Sequence, residues 1–484
     1  MIIRDILRQF GGQRILVIGD VMLDRYVRGD VERVSPEAPV PVLKVREEFD
    51  SPGGAANVAL NLKVLGSKVS LIGVTGKDTD GDKLRDEIKL SGISPGAVVR
   101  DSGMSTIVKT RLIAANQQIA RIDHENGAPI SRKAESALIK KIENALKVSK
   151  PGAIIISDYA KGTLTEKVLS STIKLARKKG IFTVVDPKGE DYAKYRGADA
   201  LTPNKAEAEA ASGIKITDES SLRSSAKRLT GLTDAVCVLI TRGSEGITYS
   251  EKGRRPVTVP PRAKEVYDVT GAGDTVVSVF TLSYLTSGSI ESSVRIANAA
   301  AGITVGRLGA SQVTCEDLIE HFENPEGAGT KIYSREPLSK KLATHRSKGQ
   351  KVVFTNGCFD LFHTGHLKLL REAAREGDIL VVAINSDKSV NKLKGRGRPF
   401  VSETDRANLI TALECVTYLT VFEEDTPLEL IRKLKPDVIV KGGDYKAADV
   451  VGRADVESYG GRVKIIPLLK GVSTSSLAGK IKKT

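Results

Sequence analysis

The chain has no tryptophan, and aromatic residues make up only 4% of its 484 residues. Stacking platforms for single-stranded nucleic acid are therefore scarce. Cysteine is rare too: Cys237, Cys315, Cys358 and Cys415 stand far apart, with no CxxC pair. That spacing suits a reducing compartment and offers no zinc site. No run approaches the roughly 18 apolar residues of a membrane span. The opening, MIIRDILRQFGGQRILVIGD, lacks a basic-then-apolar export signal. A cytoplasmic location without a membrane partner is expected. The pattern G-x-x-x-x-G-K-[ST] is also missing, which excludes a P-loop as the phosphate cradle.

Positive charge is in excess, with 74 Lys+Arg against 59 Asp+Glu and a net charge of +15. Nucleic acid is the usual inference from such a balance. The basic residues are dispersed, however, and only KGRGR at 394–398 and KIKK at 480–483 are dense. Phosphorylated small molecules explain the bias equally well, and no nucleic-acid partner is expected. The length suggests about two or three domains. Pro and Gly punctuate 323–330, where periodicity is lost. The expected division is 1–325, a linker at 326–349 containing a polar connecting helix, and 350–484.

The chemistry centres on Asp268 to Thr275, DVTGAGDT, just before the apolar run Val276-Val277-Ser278-Val279-Phe280. That run reads as a helix whose first turn holds Gly271, Ala272, Gly273 and Asp274. Small residues and exposed N–H groups at a helix start favour a phosphate. A carboxylate beside that phosphate is accounted for as a base, with Asp274 removing a proton from a sugar hydroxyl.

Upstream, Arg14 to Asp20 reads as a buried strand that places Asp20 and Asp24 at its carboxyl end. Residues 25–49 and 106–123 read as extended pieces of a small antiparallel flap. Lys109, Arg111 and Arg121 on this flap are candidates for a substrate phosphate. Between these pieces, Gly53-Gly54-Ala55-Ala56-Asn57 opens a helix, with Asn57 placed to bind a hydroxylated ligand. From 133 to 246, strands alternate with helices, a parallel doubly wound α/β pattern. Strand ends there carry Asp186 and Lys188, Asn204 and Glu207, and Thr241 and Gly243.

GGAAN at 53–57 and DVTGAGDT at 268–275 resemble the two signatures of the ribokinase-like (PfkB) carbohydrate kinases over residues 1–325. The resemblance implies a catalytic base at Asp274 and phosphate binding at Thr270 to Gly273. It implies that Asn204, Lys205, Ala206 and Glu207 stand near Mg·ATP, with Glu207 acting on Mg2+ indirectly. Thr241, Gly243 and Gly246 then form a nucleotide loop, joined by Lys188. The sugar falls to Asp20, Asp24, Gly53, Gly54, Asn57, Lys109 and Arg111.

Beyond the linker, the strand Lys351 to Asn356 runs into Gly357-Cys358-Phe359-Asp360-Leu361-Phe362-His363-Thr364-Gly365-His366. His363 and His366 are three apart at a helix start and share a face. Metal binding lacks further ligands, since His124, His321 and His345 lie in no matching motif. Anion binding by two imidazoles and a helix N-terminus is the preferred reading. The stretch resembles the signature of nucleotidyltransferases related to cytidylyltransferases, and Ser473-Thr474-Ser475 resembles their second signature. The resemblance implies nucleotide or phosphate contacts at Asn356, Gly357, Phe359, Asp360, Lys394, Arg396, Lys441, Ser473, Thr474 and Ser475, and a Rossmann-like fold.

A sugar kinase followed by a nucleotidyltransferase resembles the two-domain enzymes of ADP-heptose synthesis. This implies Mg2+ with ATP, heptose phosphates as substrates, a homodimer, and no zinc, haem or flavin. A sugar kinase fused to a cytidylyltransferase with another product is the alternative.

Overall fold

In the computed structural model, residues 3–114, 117–125, 127–261, 269–306, 312–323, 331–395, 397–443 and 449–467 are described. They form two compact units, Met1–Pro325 and Glu326–Thr484.

The first unit is built on an eight-stranded sheet. Its order is Val257–Val259, Ile247–Glu251, Cys237–Thr241, Ala200–Leu201, Phe182–Asp186, Ala153–Ser157, Arg14–Gly19, Lys68–Ile72. The inner strands are short unbroken apolar runs because helices cover both faces. In Arg14–Gly19, Ile15 and Val17 enter one core and Leu16 and Ile18 the other. Pairing is parallel up to Cys237–Thr241, and the last two strands add on antiparallel. The parallel expectation fails there because the connection Arg242–Gly246 is too short for a crossover.

The flap is a four-stranded sheet ordered Pro41–Gly54, Val21–Val34, Val108–Ala114, Gln117–His124. It differs from the expected small antiparallel flap. Two strands are 14 residues long, and Leu23–Gly29 pairs parallel with Val108–Ala114. An alternating pattern is the same for either pairing, so the sequence carries no signal of direction. Arg25 ties the flap down, donating to Asp50 at 2.9 Å and to Asp80 at 2.8 Å.

The second unit holds five parallel strands ordered Tyr418–Phe422, Ile379–Asn385, Val352–Gly357, Val438–Gly442, Arg462–Ile466. The chain enters at the central strand, winds outward one way and then returns to build the other side. The crevice between Val352–Gly357 and Val438–Gly442 is the switch point where such sheets bind ligands. The helix expected as a polar linker, Arg335–Ser347, buries Leu338 and Leu342 in this unit's core. Its apolar residues are four apart, enough for one narrow buried stripe. No helix among the described residues is long and apolar enough to cross a membrane.

Candidate active sites

In the first unit, the helix Ala272–Ser287 starts from Gly271, whose φ of +78° suits glycine. Among the described residues no side chain caps its first turn; the Ala272 N–H turns back to the Val269 carbonyl at 3.3 Å, and the N–H groups beside it are not capped by a side chain, as an anion site requires. It packs on the helix Ala55–Val64, where Ser278 Oγ donates to the Val58 carbonyl at 3.3 Å. The two signature stretches are thereby side by side.

Asp274 is 6% exposed. Asn57 Nδ2 donates to its Oδ2 at 2.7 Å, and Tyr159 Oη donates to its Oδ1 at 2.8 Å. Burial pushes this carboxyl up to about 6; the two hydrogen bonds restrain the rise, Asp24 adds to it and Lys109 opposes it. At neutral pH the group is ionised yet more basic than an ordinary aspartate, as a general base requires.

The sugar-side candidates divide. Asp20 is fully buried. Its Oδ2 accepts the N–H groups of Tyr159 at 2.9 Å and Lys161 at 3.1 Å, and its Oδ1 accepts that of Thr163 at 3.1 Å. A carboxylate engaged on both oxygens by the backbone fixes a loop, which is the role the geometry of Asp20 displays. Asp24 and Arg111 bind each other at 2.7 Å, and Arg121 forks onto its neighbour Asp123 at 2.8 and 3.0 Å. Lys109 is different. Among the described residues it has no carboxylate within ion-pair distance, and its Nζ lies 5.6 Å from the centre of the Tyr159 ring. Gly53 is small for packing: a Cβ there would lie 2.6 Å from Asp24 Oδ2. Gly54, at φ +59°, caps the helix that carries Asn57.

On the nucleotide side, Asn204 and Glu207 form a capping box. Glu207 N–H donates to Asn204 Oδ1 and Asn204 N–H to Glu207 Oε2, both at 2.9 Å. Lys205 and Ala206 fill the first turn behind it. The other Glu207 oxygen takes Lys188 Nζ at 2.6 Å. Asn204 pairs with Thr241 in a parallel bridge, which joins this cap to the loop of Gly243 and Gly246. Both glycines have positive φ, +55° and +83°. Asp186 accepts from Thr202 Oγ1 at 2.9 Å. Its carboxyl is pushed up to about 8 by burial first, then by the charges of Asp274 and Glu207. Thr270 to Gly273 lie at the helix start, whereas Asp268 falls outside the described residues.

In the second unit, the helix Thr364–Ala374 starts at His363 with no side-chain cap. The rings of His363 and His366 stack, 3.8 Å between centroids and 15° between planes. The Nδ1 atoms of both are buried and have no hydrogen-bond partner among the described residues. Burial pushes His366 down to about 4, aided by His363 and Lys394, and burial lowers His363 as well. Both shifts favour the neutral rings, which meet an anion with N–H donors rather than with charge.

Lys441 Nζ donates to Asn356 Oδ1 at 2.6 Å across the switch point, and burial pushes this lysine down to about 8. Gly357 ends the first strand against the Phe359 ring, 3.1 Å from where a Cβ would stand. Asp360 is engaged as Asp20 is. Its buried carboxylate accepts from Arg398 and from the N–H groups of Phe400, at 2.6 Å, and Val401, at 3.3 Å. It therefore fixes the loop 398–401. Lys394 is exposed at the end of the helix Asp387–Lys394. Arg396, Ser473, Thr474, Ser475 and the 444–445 end of the KGGDY stretch lie outside the described residues. Among the described residues, no group of three or more His, Cys, Asp or Glu is placed to hold a metal ion.

Two residues with a part in these sites escaped sequence reasoning. Tyr159 follows a strand end without any motif. Arg406, 1% exposed, donates to the carbonyls of Cys358 at 2.6 Å and Asn385 at 2.9 Å and to Asp387 at 2.6 Å. It joins the signature loop to the neighbouring strand end.

The family described as pfkB family carbohydrate kinase matches residues 13–316, and that described as cytidylyltransferase-like matches 354–472. Among solved structures, ribokinase of Arabidopsis thaliana with ribose and ATP aligns at TM-score 0.51 and 20% identity, covering 64% of this chain and 98% of its own. Phosphofructokinase-2 of Escherichia coli with fructose-6-phosphate aligns at 0.54 and 20%, with the same coverages. At that identity these two establish the fold. The bifunctional protein HldE of Syntrophotalea carbinolica is 46% identical over 480 residues, 99% of this chain and 98% of the relative. That of Geobacter sulfurreducens is 46% identical over 474 residues, 98% and 96%. With a buried carboxylate held at a helix start in one unit, a stacked imidazole pair at a helix start in the other, and this similarity from end to end, the chain belongs to the family of bifunctional HldE proteins, enzymes with a carbohydrate kinase unit followed by a nucleotidyltransferase unit.

Proposed function

We propose that the chain performs two steps of ADP-heptose synthesis. The first unit transfers the γ-phosphoryl of ATP to O1 of D-glycero-β-D-manno-heptose 7-phosphate. After another enzyme removes the 7-phosphate, the second unit joins AMP from a second ATP to heptose 1-phosphate and releases pyrophosphate.

The observation that carries the kinase step is the hold on Asp274: a buried carboxylate with a donor on each oxygen at an uncapped helix start. Asp274 accepts the proton of the sugar hydroxyl while the Gly271–Gly273 backbone meets the transferring phosphoryl. Lys109, with no carboxylate within ion-pair distance among the described residues, is placed for the substrate phosphate. Oxygen donors suit Mg2+, which when bound neutralises charge on the ATP phosphates. Both oxygens of Glu207 are already engaged, which fits it to hold that ion through water.

Adenylyl transfer needs no base, because a sugar 1-phosphate is already an anion. His363, His366, Lys441 and the start of the helix Thr364–Ala374 position the triphosphate and stabilise the departing pyrophosphate. A cytoplasmic homodimer is part of the same proposal.

The test is product analysis with ATP and a panel of seven- and six-carbon sugar phosphates. The proposal expects heptose 1,7-bisphosphate, and ADP-heptose from heptose 1-phosphate. A product formed with CTP and not ATP would replace it with the alternative fusion.

A further inference from the structure

We propose that Tyr159 is a positioning residue for the phosphoryl-transfer step: its hydroxyl fixes Oδ1 of Asp274 so that the carboxylate is aimed before the sugar binds. This rests on Asp274 being the base.

Three observations converge. The Tyr159 hydroxyl donates to Asp274 Oδ1 at 2.8 Å, while Asn57 holds Oδ2 at 2.7 Å, so rotation of the carboxylate breaks a bond either way. The loop behind Tyr159 is itself fixed. Asp20 accepts the N–H groups of residues 159, 161 and 163, and Asp158 accepts the Ala160 N–H at 2.7 Å and the Tyr195 hydroxyl at 2.6 Å. The order of the eight strands places this loop where the strand order reverses, between the parallel strands Arg14–Gly19 and Ala153–Ser157. Third, the Lys109 ammonium lies 5.6 Å from the centre of the Tyr159 ring, so the same side chain binds Asp274 and lies beside the flap cation.

Other charges face Asp274: Asp24 and Lys109 from the flap, and Asp186 from the main sheet. Burial and the neighbouring carboxylates hold the Tyr159 hydroxyl protonated. It is therefore a donor throughout the working range and favours the ionised form of Asp274. Removing this donor makes Asp274 harder to ionise. The acid limb of kinase kcat/KM should then move upward, by about one pH unit for one hydrogen bond to a charged group.

The experiment uses the full chain with heptose 7-phosphate and ATP. Tyr159→Phe should raise the acid limb by about one unit, with activity recovering as pH rises. Replacing Tyr159 with 3-fluorotyrosine, a stronger donor of the same shape, should lower the limb. The opposite signs separate positioning from a general loss of structure. A limb unmoved in the fluorotyrosine protein, or a pH-independent loss in Tyr159→Phe, overturns the inference. Asp274→Asn is run alongside: if it keeps kinase activity, the base assignment itself fails, whereas an inactive Asp274→Asn with unmoved limbs removes only the role of Tyr159.

Discussion

At the scale of single residues, the two units use opposite electrostatic strategies on similar ligands. Asp274 keeps a charge that burial disfavours, because Asn57 and Tyr159 supply a donor to each oxygen. His363 and His366 shed theirs, because stacking at 3.8 Å and burial favour neutral rings. Asp274→Asn keeps the shape and removes the base; phosphorylation should fall by roughly 10²–10⁴ while adenylyl transfer in the same polypeptide persists. A coupled assay of each half-reaction reads both, and equal loss of the two would refute separate sites. The double variant His363→Ala, His366→Ala should do the reverse, abolishing ADP-sugar formation and sparing the kinase.

At the scale of elements, loops are held by buried carboxylates, one after a strand and one between two helices. Asp20 binds the loop 159–163, and Asp360 binds the loop 398–401. Burial opposes ionisation of Asp360, but Arg398 and two N–H groups outweigh it and hold the carboxyl below the usual aspartate range. Its stabilising effect is present above the unfolded value and is lost as pH falls through the lowered folded value. Asp360→Asn leaves Arg398 without its counter-charge and should cost about 3 kcal/mol, read as a fall in melting temperature. Sequence position alone does not distinguish such a residue from a ligand. Asp20 stands at a strand end as a binding residue would, and its backbone partners are about 140 residues away. The strands were legible because each is a short apolar run closed by a polar residue, as at Ala153–Ser157. Asn57 and Asp274 were legible because glycine-rich helix starts frame them. Tyr159 and Arg406 were not, since a lone Tyr or Arg has no periodicity or spacing to betray it. The parallel flap pairing was hidden for a similar reason, as alternation fixes faces and leaves direction open.

At the scale of the whole molecule, the hydrophobic clusters stay within one unit or the other. Asp360→Asn should accordingly lower one calorimetric transition and leave that of residues 1–325 in place. The two sites also set different pH limits. Kinase kcat/KM should rise as pH passes about 6, where Asp274 loses its proton. Transferase kcat/KM should fall as pH passes about 8, where Lys441 loses its own. Rates measured separately from pH 5 to 9 test both limbs. A transferase limb unmoved in Lys441→Arg would exclude that lysine as its source. Between the limits both half-reactions run together, so the band of full throughput is narrower than that of either half alone.

The convergence of three alternate N–H groups on Asp20 has a consequence for how the kinase uses its sugar. Asn57 and Tyr159, the latter braced through Asp20, hold the Asp274 carboxylate by contacts within the protein, so under the proposed mechanism the sugar need not supply them. What the substrate gains by docking is left to bring its hydroxyl and the phosphoryl group together, which is where rate enhancement by proximity arises.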